Sequence, residues 1–86
     1  MFLEIVTPDE KVFEGEVQSA SFPGSDGSFQ ILNNHAPLIS TLGKGDVTLE
    51  KLVDKRTEEV HYVVDGGMVE VLNNHVTVLA EKIEAE

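Results

Sequence analysis

The chain has 86 residues, enough for one small domain with a modest core but hardly for a deep substrate cavity. Its 16 acidic and six basic residues give a net charge of −10, which repels nucleic acid and anionic lipid. The absence of cysteine excludes a disulfide, a thiolate metal site and a cysteine nucleophile in these residues. This composition favours a binding module over an enzyme.

The sequence of the first third of the chain predicts short extended segments. Residues Met1–Thr7 predict a strand closed by a proline turn. Residues 12–22 predict a second extended run, whose apolar positions change parity near Gln18; this indicates a bulge or a crossing between two sheets. The segment Pro23–Gly27 is the strongest loop signal, and it leads into a strand ending at Leu32.

An internal repeat follows, because the letters Leu-Asn-Asn-His occur at residues 32–35 and again at residues 72–75. Asn tolerates positive φ, so each Asn-Asn pair predicts a two-residue hairpin turn with both residues left-handed. The second copy continues into an ordinary strand at Val76–Ala80. The first continues into Ala36–Ile39, where Pro37 removes a backbone donor, so it predicts a loop that offers apolar side chains.

The rest of the chain alternates strands with polar or glycine-rich turns. Gly43–Asp46 and Asp65–Gly67 predict turns, and Asp54–Thr57 predicts a hairpin connection. Residues 59–65 show the clearest period-two alternation, and no helical apolar spacing persists. Seven or more short strands predict an all-β fold, either a two-sheet sandwich or a flattened barrel.

Two chemical alternatives stand beside a binding module. His35 and His75 could act as metal ligands or as acid–base groups, but a catalytic zinc site needs three protein ligands and no third has a recognisable spacing. Lys55 lies in a predicted hairpin, where a lipoyl or biotinyl carrier domain presents its modified lysine. The preceding Leu52-Val53 does not match the pattern of those carriers.

Three segments carry a family resemblance. They are Phe29–Gly45, with a His-Ala-Pro-Leu core and a Gly-x-Gly, then Val64–Val71, then Val76–Glu81. In this order they resemble the N-terminal β-sandwich of the epsilon subunit of F-type ATP synthases. The resemblance implies two packed sheets of about ten short strands in residues 1–82, followed by a charged tail at residues 83–86 where a helical hairpin would begin.

In that family the domain belongs to the central stalk, where it packs on the gamma subunit and rests on the polar loops of the membrane c-ring. The resemblance implies a non-catalytic rotor subunit without a cofactor. The compact sequence, in which no transit peptide is recognised, favours a peripheral position at the cytoplasmic face of a bacterial plasma membrane. It implies a gamma-facing surface at Ala36, Pro37, Leu38, Ile39 and Leu42, and one ring-facing end with Asp26, Ser28 and His35. Leu42 could equally belong to the core, and Ser28 stands where family members often have Glu.

Family members commonly continue into a C-terminal helical hairpin that binds ATP in some bacteria. This sequence ends at Glu86, where the hairpin would begin. We therefore expect neither nucleotide binding nor hairpin-mediated inhibition from these residues. Nucleic acid and direct insertion into lipid are not expected either.

Overall fold

The computed structural model describes residues 1–85, which form β-strands joined by short turns. Within that range there is no helix that is long and apolar enough to cross a membrane. The eight strands are β1 (Phe2–Val6), β2 (Lys11–Glu16), β3 (Ser19–Gly24), β4 (Gly27–Leu32), β5 (Leu38–Val53), β6 (Arg56–Leu72), β7 (His75–Ala80) and β8 (Ile83–Ala85).

All the strands belong to one hydrogen-bonded sheet. Its order is β2-β1-β7-β6-β5-β3-β4, and β8 pairs with the middle of β6. The pairing of β1 with β7 is parallel, whereas the other pairings are antiparallel. The long strands β5 and β6 run through both halves of the sheet, so they join two packed layers.

Each half of the sheet contains one part of β5 and one part of β6. In half-sheet 1, residues 38–42 of β5 pair with residues 67–71 of β6, and β7, β1 and β2 follow. In half-sheet 2, residues 44–53 of β5 pair with residues 56–65 of β6, and β3 and β4 follow. Side chains alternate between the two faces of each strand, and the inward-facing ones from both halves form one core. The prediction of an all-β sandwich is confirmed.

The core takes large side chains from both halves. Leu3 and Ile5 come from half-sheet 1, and Phe22, Ile31 and Leu49 come from half-sheet 2; each is at most 1% exposed. Burying a side chain of this size contributes about 1.5–3 kcal/mol. Every buried side-chain nitrogen or oxygen in residues 1–85 has a hydrogen-bond partner. The core therefore holds the two half-sheets together without an unsatisfied polar group.

Glycines allow the bends in the long strands. Gly66 and Gly67 have φ values of 85° and 136°, in the region that favours glycine. A Cβ on Gly67 would overlap the carbonyl oxygen of Leu79, because β7 passes close to the bend. The turns predicted at Gly43–Asp46 and Asp65–Gly67 are thus bends inside continuous strands. For this reason there are eight strands in residues 1–85 and not about ten.

The two Asn-Asn copies form different turns. Asn73 and Asn74 have φ values of 51° and 60°, and they connect β6 to β7 as the predicted two-residue hairpin. In the first copy, Asn34 is left-handed at 63° but Asn33 is not, and β4 does not pair with β5. The hairpin predicted there is wrong. Pro37 lacks the N–H that a continuing strand would use, and β5 begins only after it.

The parity change near Gln18 marks a crossing and not a bulge. Strand β2 ends at Glu16 in half-sheet 1, and β3 begins at Ser19 in half-sheet 2. The loop signal at residues 23–27 reduces to the two-residue turn Ser25–Asp26 between β3 and β4. The polar hairpin predicted between β5 and β6 is confirmed as another two-residue turn, Asp54–Lys55.

The segment after β7 rejoins the sheet. Strand β8 pairs with Tyr62–Val64 of β6, and Ile83 packs against the core. The predicted tail at residues 83–86 therefore begins as a strand, because Ile83 gains apolar contacts there. Glu86 lies outside the described residues.

Candidate interaction surface

The outer side of half-sheet 1 carries an exposed apolar surface. Met68 of β6 lies opposite Leu79 of β7, and Leu79 lies beside Val6 of β1. Ile39 and Leu72 are 64% and 51% exposed on the same side. The exposed Glu70 lies on this side as well, opposite Ile39 and between Met68 and Leu72. Exposed apolar side chains grouped on neighbouring strands are typical of an interaction site. We call Val6, Ile39, Met68, Leu72 and Leu79 the apolar face.

The sequence of β6 contains the signal for this surface. Val69 and Val71 point into the core, whereas Met68 and Leu72 alternate with them and point outward. Two of the three outward positions in this part of β6 are thus apolar and the third is Glu70; apolar residues on both sides of a strand are typical of a sheet that is covered on both faces. Met68, Leu72 and Leu79 were not among the residues predicted to face a partner, although their apolar side chains at outward positions are the signal for them.

The predicted segment Ala36–Ile39 borders the apolar face. Its first two residues are exposed, Leu38 packs partly against the core, and Ile39 belongs to the face itself. Residues 37–39 of the segment line a shallow groove together with residues 70–72 of β6. Leu42 is only 5% exposed and lies in the core, so it offers almost no area to a partner. Its alternative interpretation as a core residue is the one that the structure shows.

The three predicted ring-facing residues do not lie at one end of the sandwich. Asp26 occupies the turn before β4 and Ser28 lies near the start of that strand, whereas His35 follows its other end. A strand of six residues spans about 17 Å at roughly 3.3 Å per residue. The expectation of a single end is corrected, because the extended strand separates Asp26 from His35.

Both Asn-Asn turns meet at the end where His35 lies. The backbone N–H of Asn34 donates to Asn74 Oδ1 at 2.7 Å, and Asn74 Nδ2 donates to Asn33 Oδ1 at 2.9 Å. The amino group of Met1 donates to the same Asn33 oxygen at 3.2 Å. These bonds tie the start of the loop between β4 and β5 to the β6–β7 hairpin. The loop is therefore held against half-sheet 1, next to the apolar face.

A charged cluster lies beside the apolar face. His75 Nε2 is 3.2 Å from one carboxylate oxygen of Glu4, and Lys11 Nζ is 3.4 Å from the other. Phe2 packs edge-on against the His75 ring, with 4.9 Å between the ring centroids. The hydrogen bond from His75, followed by that from Lys11, lowers the pKa of Glu4, and contact with Glu14 raises the pKa of Lys11. The cluster forms a polar border to the face.

The two histidines considered as metal ligands have different partners. His35 Nδ1 is 2.7 Å from the carbonyl oxygen of Ala36, whereas His75 is bonded to Glu4. In the part of the chain that the structure describes, no three His, Cys, Asp or Glu side chains are grouped to hold a metal ion. Lys55 is exposed in the turn between β5 and β6. The geometry thus supports a contact surface and gives the metal hypothesis no support.

Comparison with known proteins agrees with the family resemblance. The model of the family described as ATP synthase, Delta/Epsilon chain, beta-sandwich domain matches residues 1–86. The chain is 47% identical over 85 residues to the ATP synthase epsilon chain of Maridesulfovibrio salexigens, covering 98% of this chain and 56% of that protein. It is 44% identical over 81 residues to the ATP synthase epsilon chain of Chlorobium limicola, covering 94% and 89%.

A solved structure shows the same fold at lower sequence identity. A chain in the Euglena gracilis mitochondrial ATP synthase structure, OSCP/F1/c-ring in rotational state 1, superposes with a TM-score of 0.86 at 20% identity. The match covers 96% of this chain and 51% of that one. This chain also spans little more than half the length of several bacterial relatives. The resemblance drawn from the sequence is confirmed: the chain belongs to the family of ATP synthase delta/epsilon chain beta-sandwich domains.

Proposed function

We propose that this chain is a central-stalk subunit of an F-type ATP synthase, which couples the gamma subunit to the c-ring during ion-driven ATP synthesis. The observation that carries the proposal is the family match across residues 1–86. In this role the chain transmits torque and needs no active site, cofactor or nucleotide of its own. A close-packed sandwich suits that role, because packed interiors deform little under load.

In this proposal the gamma subunit packs on the apolar face and on the segment Ala36–Ile39. Ile39, Leu72 and Leu79 are between 48 and 64% exposed, so each still has apolar area to bury. Covering such a half-exposed side chain contributes about 1 kcal/mol. The groove beside the segment gives the partner a concave place to insert a side chain. Leu42 is left out of this surface because it is buried.

The turn Ser25–Asp26 and the adjacent Ser28 face the c-ring in this proposal, and His35 lies on the gamma side. The turn is held firmly, since Ser25 Oγ accepts a hydrogen bond from Thr41 Oγ1 at 2.9 Å. The backbone N–H of Ser25 also donates to the carbonyl oxygen of Thr41 at 3.2 Å. A turn anchored in this way presents the Asp26 carboxylate to polar loops as a stiff contact.

The proposed assembly places the chain at the cytoplasmic face of a bacterial plasma membrane, as a peripheral protein. The relatives from Maridesulfovibrio salexigens and Chlorobium limicola support a bacterial source. The exposed surface of an acidic chain also disfavours direct binding to anionic lipid. Contact with the membrane is therefore assigned to the c-ring loops and not to lipid.

Co-elution with the gamma subunit from the same source tests this function. The wild-type chain should co-elute with gamma in size-exclusion chromatography, and Ile39→Glu should not, because it places a charge in the interface. Thr57→Glu is the matched control, since Thr57 is exposed on the outer side of half-sheet 2. If the folded wild-type chain does not bind gamma, the proposal is wrong. The intact mass of the chain purified from its source then tests Lys55 for a lipoyl or biotinyl group.

A further inference from the structure

Strand β4 is an open edge of the sheet. It pairs with β3 on one side, and no other strand of residues 1–85 pairs with it. An open edge exposes backbone N–H and C=O groups that can pair with any extended chain, so proteins usually guard edges with charges, proline or bulges. Strand β4, with the sequence GSFQIL, has no charged residue and no proline, and its pairing with β3 has no register shift.

The edge strand β2 of half-sheet 1 is guarded in the usual way. It carries Lys11, Glu14 and Glu16, so charge covers its length. Its register with β1 also shifts between Ile5 and Val6, which disturbs the ladder at that end. In a chain with 22 charged residues among 86, the neutral sequence of β4 distinguishes this edge from the other.

Pro23 identifies the backbone groups that β4 leaves free. In an antiparallel pair, residues that exchange two hydrogen bonds alternate with residues whose N–H and C=O point away from each other. Pro23 has no N–H, so Pro23 and Ser28 form a pair without hydrogen bonds between them. Because the two kinds of pair alternate, Ser21 and Gln30 also form a pair without hydrogen bonds. The outward groups are therefore the N–H and C=O of Ser28 and Gln30 and the N–H of Leu32. The carbonyl of Leu32 already accepts from the backbone N–H of His35 at 3.2 Å.

We propose that β4 receives an extended segment of the gamma subunit as an additional strand, held by these outward backbone groups. This inference rests on the proposed function, and two observations select the occupant. A second copy of this chain also carries a charge of −10, so long-range repulsion disfavours self-pairing. Strand β4 also runs directly into the loop that leads to Ala36–Ile39, so one partner can reach both.

The geometry specifies the kind of segment. Strand addition uses main-chain hydrogen bonds for affinity and alternate side chains for specificity. The outward-facing side chains of β4 are Ser28, Gln30 and Leu32, all exposed, and Leu32 is 54% exposed. A matching segment is about five residues long, extended and free of proline at the paired positions, with an apolar side chain opposite Leu32.

Amide hydrogen exchange, followed residue by residue by NMR, is the direct test. In the isolated chain the amides of Ser28, Gln30 and Leu32 should exchange fast, whereas those of Phe29 and Ile31, bonded to β3, should exchange slowly. Saturation with gamma should slow the first three by at least about 10-fold. Gamma binding without this protection overturns the inference and leaves the proposed function intact. Absence of gamma binding contradicts both.

Two variants at one position give an independent test. Gln30→Pro removes an outward N–H without removing a bond to β3, and it should weaken gamma binding by about 10-fold or more. Gln30→Ala keeps the N–H and should bind within about 2-fold of wild type. A folded Gln30→Pro variant with wild-type affinity overturns the inference; if that variant does not fold, the exchange data on the wild-type chain decide. Protection of the three amides that grows with the concentration of the isolated chain overturns gamma as the occupant in favour of a second copy.

Discussion

The two outer surfaces of the sandwich differ although they enclose the same core. On half-sheet 1, Val6, Leu79 and Met68 lie side by side on three neighbouring strands. On half-sheet 2, the corresponding outward row is polar, and Thr48 Oγ1 is 3.2 Å from His61 Nδ1. Half-sheet 2 exposes Leu32 and Leu52 as well, but they lie on β4 and β5, which do not pair with each other. Within residues 1–85, only half-sheet 1 therefore has apolar side chains side by side on neighbouring strands of its outer surface.

The difference shows which requirements come from folding and which from assembly. Both half-sheets must bury their inner side chains, so their inward positions are apolar in the same way. Nothing in the isolated fold requires an apolar outer side, and an antiparallel sheet normally keeps that side polar. The apolar face is therefore best explained by a covering partner, which for this chain we propose to be gamma.

The largest expected effect concerns the bend in β6 that passes the chain from one half-sheet to the other. Gly67→Ala should lower the free energy of unfolding by about 3 kcal/mol or more, because its Cβ would overlap the carbonyl oxygen of Leu79 and φ is 136°. Gly15→Ala is the control, since a Cβ there meets only the Phe13 ring at 3.6 Å. Urea unfolding measures both, and equal stability of the two variants would show that the bend does not need Gly67.

The next effect concerns the partner surface alone. Leu79→Glu should weaken gamma binding by about 100-fold, because it buries a charge at the centre of the apolar face. The stability of the isolated chain should change little, since Leu79 is 48% exposed. Calorimetric titration with gamma and a thermal melt separate the two quantities. Wild-type affinity in this variant would remove Leu79 from the interface.

A third prediction contrasts the two sides of one strand. Val69→Ala should cost about 2 kcal/mol of stability, because Val69 is fully buried in the core. Met68→Ala should cost less than about 1 kcal/mol in the isolated chain, because Met68 is 37% exposed. With gamma bound, the cost of Met68→Ala should rise toward that of Val69→Ala. Equal costs in the isolated chain would mean that Met68 is part of the core.

The smallest effect concerns the charged border of the apolar face. The folded chain lowers the pKa of Glu4 below its ordinary 4.5, so the stability that this carboxylate contributes is present above that pH. It should be lost as the pH falls through 4.5 and below, and Glu4→Gln should lack this component. Melting temperatures from neutral pH to acid should therefore converge for the two proteins. Melting temperatures of the two proteins that stay equally far apart at every pH would contradict this assignment.

Much of the fold could be predicted because local patterns decide it. The alternation of apolar and polar residues predicted an all-β fold. The turn at Asn73–Asn74 formed as expected, because the next segment is an ordinary strand. The same two residues at Asn33–Asn34 form a different turn, because Pro37 follows them. Glycine signals at Gly43–Asp46 mark a change of direction, but alone they do not distinguish a turn between strands from a bend inside one.

The site was harder to predict because it depends on neighbours in space. Ile39 could be recognised, since it follows a proline in a segment with a known family pattern. Met68 and Leu79 join it only through the pairing of β5, β6 and β7, which the sequence does not specify. Asp26 and His35 were expected together, and only the direction of β4 shows that they are apart.

The parallel pairing of β1 with β7 has a consequence for the order of events during synthesis. Phe2 pairs with His75, which is 73 positions later (75 − 2), so β1 must wait until β7 has been made. At roughly 5–20 residues per second, that wait is about 4 to 15 s. The β3–β4 hairpin has its partners close in sequence and can form as soon as it emerges from the ribosome. The strands that carry the apolar face are thus brought together long after the β3–β4 hairpin can form.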